Sequence, residues 1–138
     1  MRVILDTNVL FSGLGSHGKA SPPVLLVAQV LRASTRLVLS NALFQEYVGV
    51  LGRPSFQRWS GLDNEAVRRV LDALAAGALW HVPPRSQLVC PDEDDQHLWD
   101  LLAIEPEASL ITGERVLLES GDFPGHVLRP REALALLG

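Results

Sequence analysis

The sequence predicts an α/β protein of three layers, α/β/α, in which helices cover both faces of a central, mainly parallel five-stranded sheet. Short apolar runs of strand length alternate with longer helical patterns, and this alternation is typical of βαβ units. Of the 138 residues, 47% are hydrophobic and 20% are charged, which is ordinary for a globular protein and excludes general disorder. The length predicts one domain spanning residues 1–138, since no internal repeat or linker divides the chain.

The first two strands and their helices are predicted from the N-terminal part of the chain. Val3–Leu5 forms a short buried strand, and a glycine-rich loop, GLGSHG from Gly13 to Gly18, follows it. Ser21 and the two prolines after it start a helix that is apolar almost all round and should therefore be largely buried. The second strand is RLVLS, and Ser40 or Asn41 caps the helix ALFQEYVGVL.

Three more strands are predicted from the rest of the chain. After a polar, aromatic stretch from Pro54 to Trp59, Asp63 caps a strongly amphipathic helix that Gly77 closes. The remaining strands are LWHV, SLIT and HVLR, and the remaining helices are DQHLWDLLAI, ERVLLES and PREALALL. Ligands of such sheets bind outside the carboxyl ends of the strands, where the strand order reverses. If strands one and four flank that point, the residues after them lie side by side.

Acidic side chains occur where the predicted fold would bury them. Asp6 directly follows the first strand, Glu46 shares the apolar stripe of its helix with Leu43, and Asp95 lies three residues before the inward Leu98. Buried carboxylates are costly unless they are paired or bound to metal, and the chain contains a single lysine. All-oxygen clusters suit Mg²⁺ or Mn²⁺ better than zinc. Each acid alone could cap a turn or favour a helix start, but their convergence on one end of the sheet favours a metal site.

Other residue types limit the alternatives. The net charge of −4 argues against a broad basic surface for nucleic acid, and the single cysteine, Cys90, excludes an internal disulfide. The four histidines are scattered, and His97 is expected on the outer face of its helix, so none is predicted to be a ligand. No apolar run approaches the roughly 20 residues of a membrane span, and no signal peptide is recognisable. We therefore expect a cytoplasmic protein.

Three segments together resemble the motifs of the PIN domain, a small metal-dependent ribonuclease fold. They are ILDTNVLFSG, SNALFQEYVGVL and PDEDDQHLWDLLAIEPEASLITGE, in this order. The chain is most similar to VapC-like members, which are toxins of bacterial toxin–antitoxin pairs. The resemblance implies that the catalytic and metal-binding residues are Asp6, Glu46, Asp95 and Glu114, supported by Asn8 and Thr112. Glu114 falls where many relatives have aspartate, while Thr7 and Asn8 are expected to orient the Asp6 carboxylate.

The resemblance implies hydrolysis of RNA phosphodiester bonds. One or two Mg²⁺ or Mn²⁺ ions would activate water and neutralise charge on the phosphate. An antitoxin protein is the implied partner, and because PIN proteins are often dimers, Trp59 or Trp80 is a candidate contact between copies. Candidates for contacts with the RNA backbone are Lys19, Arg53, Arg58 and Arg115. The alternative is a catalytically silent PIN-like module that binds RNA or protein.

Overall fold

The computed structural model describes residues 1–15 and 20–137, in which a five-stranded parallel sheet is flanked by helices on both faces. The predicted three-layer α/β/α architecture is confirmed. The strands are β1 Arg2–Leu5, β2 Arg36–Leu39, β3 Leu79–Trp80, β4 Ala108–Ile111 and β5 Val127–Leu128. The helices are α1 Thr7–Gly15, α2 Pro22–Leu31, α3 Asn41–Leu51, α4 Pro54–Ser60, α5 Asn64–Gly77, α6 Gln96–Ile104, α7 Arg115–Leu118 and α8 Pro130–Leu137. A short 3-10 turn, Glu93–Asp95, leads into α6. Within these ranges, no helix combines the length and apolar character needed to cross a membrane.

The strand order, β3-β2-β1-β4-β5, puts β1 at the centre of the sheet. From β1 the chain first builds the sheet outward through β2 and β3, and then returns to the other side of β1 with β4 and β5. The order therefore reverses between β1 and β4, as expected. Leu5 is in register with Ile111, and the Asp6 amide donates to the Ile111 carbonyl at 3.0 Å. The residues that follow these two strands consequently begin side by side.

Two large buried side chains fix the helices that carry acidic residues. Tyr47 of α3 is fully buried, and its hydroxyl donates to the main-chain carbonyl of Leu5 at 2.6 Å. Trp99 of α6 is also fully buried, and its indole N–H donates to Asp122 Oδ2 at 3.0 Å. Both bonds satisfy polar groups that burial would otherwise leave unpaired. The Tyr47 bond holds α3 at the carboxyl end of β1, and the Trp99 bond ties α6 to the segment between α7 and β5.

The glycine-rich loop predicted from Gly13 is wrong for residues 13–15, which are the end of α1, a helix that was not predicted from the sequence. The helix begins at once because the carbonyl of Asp6 accepts from the amides of Val9 and Leu10, at 2.9 and 3.2 Å. A Cβ atom on Gly13 would overlap Val27, and one on Gly15 would overlap the ring of Trp59. These glycines therefore permit close packing of α1. Residues 16–18 of the predicted loop lie outside the described residues, and so does Lys19.

Two further expectations about the helices are corrected. The α2 helix is apolar all round but only half covered: Leu26 and Val27 are buried, whereas Leu25 and Leu31 are 38% and 40% exposed. It is a surface helix, because α1 and α8 cover only part of its circumference. The stretch after Arg53 is also helical, with Pro54 in the first turn of α4, where the missing amide of proline costs nothing.

Candidate metal centre

Four acidic residues meet at the carboxyl edge of the sheet, beside the reversal of strand order. Asp6 follows β1 and Glu114 caps α7 just after β4, while Glu46 comes from α3 and Asp95 from the 3-10 turn before α6. Asp95 belongs to two groups of possible metal-ligand atoms, and within each group the atoms all lie within 4.8 Å of one another. One group contains Glu46 and His97, and the other contains Asp92 and Glu114. Glu46, Asp95 and Glu114 thus belong to these groups, whereas Asp6 belongs to neither but lies close enough for its charge to act on Asp95 and Glu114.

Thr112 links two of these acids. Its hydroxyl donates to Asp6 Oδ2 at 2.7 Å and accepts from the amide of Glu114 at 3.0 Å. Thr112 is fully buried and Asp6 is 3% exposed, so this bond is shielded from competition with water. A serine or threonine at this position can satisfy both contacts, because its hydroxyl is donor and acceptor at once.

The side chains of Thr7 and Asn8, the two residues after Asp6, donate hydrogen bonds to two other acids of the cluster. Thr7 donates from its hydroxyl to Glu46 Oε1 at 2.9 Å, and Asn8 donates from its amide nitrogen to Glu114 Oε1 at 3.4 Å. The main-chain amide of Thr7 also donates to the Asp6 carboxylate, so Thr7 helps to orient Asp6 as expected, while the Asn8 side chain contacts Glu114 instead. Because α1 begins directly after β1, its first turn faces the neighbouring acids and holds them in place.

Burial and repulsion between carboxylates raise the pKa values of Asp6, Asp95 and Glu114. Burial is the main cause that raises the pKa of Asp95 to about 7, and the charges of Glu114 and Asp6 add to it. Burial also raises the pKa of Asp6, with a contribution from Glu46, against the hydrogen bond from Thr112. The pKa of Glu114 is raised by burial and by the charge of Asp6. A positive charge placed among these groups would relieve all three shifts at once.

The chemistry of the donor set fits a divalent cation. Among the described residues, no ion pair joins an arginine or lysine to any of the four acids. Arg115, one of the predicted RNA contacts, pairs with Glu119 instead. Carboxylate oxygens are the ligands that hard divalent ions prefer. The four acids could therefore hold such an ion, and the raised pKa values of Asp6, Asp95 and Glu114 reflect the cost of assembling carboxylates without one.

Sequence reasoning did not predict that two further residues, Asp92 and His97, belong to the cluster. Asp92 lies with Asp95 and Glu114, although only Asp95 was expected to point inward. His97 was expected on the outer face of α6, but its Nε2 lies 2.8 Å from Glu46 Oε2. The helical projection failed because Asp95 lies in a 3-10 turn, so the α-helical angle does not apply between Asp95 and His97.

The carboxylates gathered at the switch point of this parallel α/β sheet form an acidic cluster that could bind metal. The family model described as PIN domain matches residues 2–115, and the chain belongs to the PIN domain family. The matched range includes all four acids as well as Asn8 and Thr112. PIN domains are generally nucleases, and PIN nucleases use divalent metals. Comparison with curated proteins gives no match to this sequence.

Proposed function

We propose that this protein is a metal-dependent endoribonuclease that hydrolyses phosphodiester bonds in RNA. The observation that carries the proposal is the convergence of Asp6, Glu46, Asp95 and Glu114 on one edge of a PIN domain, with no arginine or lysine paired to them among the described residues. A structural cluster would normally be neutralised by arginine or lysine, because unpaired buried carboxylates are costly. This cluster has the arrangement of a site that is completed by metal.

The four acids would hold Mg²⁺ or Mn²⁺, which supplies positive charge to the scissile phosphate and activates water. Thr112, Thr7 and Asn8 keep the carboxylates in fixed positions before the ion arrives. Such preorganisation matters because a site that must rearrange during the reaction loses electrostatic stabilisation. Because Thr7 and Thr112 are buried, water does not compete with their hydrogen bonds to the acids.

A basic groove beside the acids supports a nucleic-acid substrate. Arg129 and Arg131 line a cavity of about 450 Å³ together with Gly113, the residue between Thr112 and Glu114. The groove is adjacent to the acids because β4 and β5 are paired and Thr112 donates to the Leu128 carbonyl. Guanidinium groups at this place would contact phosphates on either side of the scissile bond. The acidic net charge of −4 does not oppose this local attraction.

We further propose that the protein is the toxin of a type II toxin–antitoxin pair in the cytoplasm. The motifs that resemble VapC-like ribonucleases support this role. An antitoxin protein would cover the acidic cluster, and a homodimer would use exposed aromatic surface. Trp59 and Trp80, 43% and 42% exposed, are the candidates for the contact between copies. Copurification from cells that also express the neighbouring genes tests the first partner, and the absence of any bound protein would contradict it.

Cleavage of labelled single-stranded RNA tests the enzymatic function. The purified protein is expected to cut with Mn²⁺ or Mg²⁺ and to stop in EDTA. Asp6→Asn is expected to abolish cleavage because it removes a charged ligand while retaining the size of the side chain. Asp94→Asn is the matched control, because Asp94 has the same charge but is exposed, whereas Asp6 is buried and accepts a hydrogen bond from Thr112. Equal cutting by wild type and Asp6→Asn would refute the assignment of the site.

A further inference from the structure

His97 carries an unexplained feature of the described part of the molecule. Its two ring nitrogens are buried side-chain atoms without a hydrogen-bond partner, and within residues 1–15 and 20–137 no other buried side-chain nitrogen or oxygen lacks one. Buried polar groups in native proteins are nearly always satisfied, and an exception calls for a water, an ion or a functional role. The described residues therefore provide no aligned hydrogen-bond partner for either ring nitrogen of His97.

The position of the imidazole indicates what that partner is. His97 lies in the first turn of α6, two residues after Asp95, and its Nε2 is 2.8 Å from Glu46 Oε2. The two atoms are close but are not aligned as a hydrogen bond. The ligand atoms of His97, Glu46 and Asp95 all lie within 4.8 Å of one another. One nitrogen and two carboxylates thus surround the same small volume.

We infer that His97 supplies a nitrogen ligand to a divalent transition-metal ion held with Glu46 and Asp95, so that the centre prefers Mn²⁺ to Mg²⁺. The inference rests on the proposed metal-dependent function and adds the identity of the ion. Mg²⁺ takes oxygen ligands and dehydrates reluctantly, whereas imidazole is a ligand of first-row transition-metal ions, most favourably of iron, nickel, copper and zinc. Among the first-row ions, Mn²⁺ shares with Mg²⁺ the preference for carboxylates, which form the rest of this site, and it also binds sites of mixed nitrogen and oxygen ligands.

A second group of ligand atoms, which does not include His97, would allow Mg²⁺ to bind without the imidazole that Mn²⁺ uses. Asp92, Asp95 and Glu114 offer oxygen alone, and Asp95 is common to both groups. An all-oxygen group is the better match for Mg²⁺. Loss of the imidazole should therefore weaken Mn²⁺ binding and leave Mg²⁺ binding almost unchanged. A role for His97 in positioning Glu46 alone would instead weaken both ions.

Binding of Mn²⁺ to the intact, metal-free protein tests the inference without any assay of activity. Electron spin echo spectroscopy of bound Mn²⁺ is expected to show modulation from a coordinated nitrogen in the wild type and none in His97→Ala. Calorimetry is expected to show a dissociation constant for Mn²⁺ that is about 10- to 100-fold weaker in the variant, the range typical for perturbed ligand shells. The matched control is His126→Ala, because His126 contacts the carbonyl of Ala108 at the start of β4, away from the acids.

Each outcome separates this inference from the proposed function. Mn²⁺ that binds the wild type without nitrogen modulation, or equal weakening of Mn²⁺ and Mg²⁺ by the substitution, would overturn the role of His97 and leave the metal site standing. Failure of the wild type to bind either ion would overturn the proposed function as well. His97→Gln is the second variant if His97→Ala does not fold, since glutamine keeps a polar side chain of similar length without an imidazole. It is expected to lose the nitrogen modulation too.

Discussion

Replacing Asp95 by asparagine is expected to stabilise the metal-free protein above pH 7. In the folded protein, burial and then the charges of Glu114 and Asp6 raise the pKa of Asp95 from 3.8 to about 7. A carboxyl group with this pKa binds its proton more tightly in the folded than in the unfolded chain. The free energy of unfolding therefore falls as the pH rises from about 4 to about 7, the interval between the two pKa values. Asparagine has no proton to lose, so the variant escapes this loss.

The magnitude follows from the size of the pKa difference. A shift from 3.8 to about 7 would correspond to about 4 kcal/mol if Asp95 carried it alone and were screened by nothing. Glu114 shares the proton with Asp95 and is only half-buried, so that water screens the open side of the cluster. We therefore expect a gain of about 1–2 kcal/mol at pH 8, equivalent to a rise of about 3–8 °C in melting temperature. At pH 4 the gain should vanish.

Thermal unfolding in EDTA between pH 4 and pH 8.5, followed by circular dichroism, measures the effect. The wild type and Asp95→Asn should melt together at low pH and separate as the pH rises. Asp94→Asn is the matched control and should follow the wild type, because Asp94 is an exposed neighbour of the same charge. A melting temperature of Asp95→Asn below that of the wild type at pH 8 would refute the electrostatic argument. So would a difference that does not depend on pH.

Two further predictions concern the support of the site and its surroundings. Tyr47→Phe removes the hydroxyl that donates to the buried carbonyl of Leu5 at the end of β1. The free energy of unfolding, measured with urea, should therefore fall by about 1–2 kcal/mol. An unchanged urea midpoint would contradict the importance of that bond. Arg129→Ala combined with Arg131→Ala should weaken RNA binding in EDTA, measured by fluorescence anisotropy, and should reduce the salt dependence of log affinity by about 1.4. Arg69→Ala on α5 is the control for lost charge, and an equal effect of this substitution would argue against a specific groove.

Local signals in the sequence account for most of the predicted fold. Ser40 and Asp63 accept hydrogen bonds from amides three residues later, as their positions before helical patterns predicted. The closing helix, Pro130–Leu137, has the predicted bounds because proline at its first position fixes the start. The parallel sheet followed from the βαβ alternation, whereas its strand order was not predicted beyond the condition that strands one and four flank the switch point. The inward direction of Glu46 followed from the spacing of apolar residues in its helix.

Features that depend on tertiary contacts could not be predicted in this way. The glycines of α1 indicated a loop, and only the close approach of Val27 and Trp59 explains why a helix needs them. The apolar circumference of α2 indicated full burial, whereas its exposure depends on which neighbours cover it. The position of His97 depended on a 3-10 turn that the pattern of leucines did not reveal. In each case the residue type was compatible with two conformations, and packing selected one.

The central position of β1 determines when the acidic cluster can exist during synthesis. Asp6 is held by Thr112, which is 106 positions later in the chain, and β1 lacks one of its two neighbours until β4 has been made. A growing chain that has emerged only as far as α6 already contains three of the acids but not the strand and hydroxyl that fix the first of them. For the ribonuclease that we propose, the centre therefore stays incomplete until β4 and Thr112 have been synthesised and have paired with β1 and Asp6.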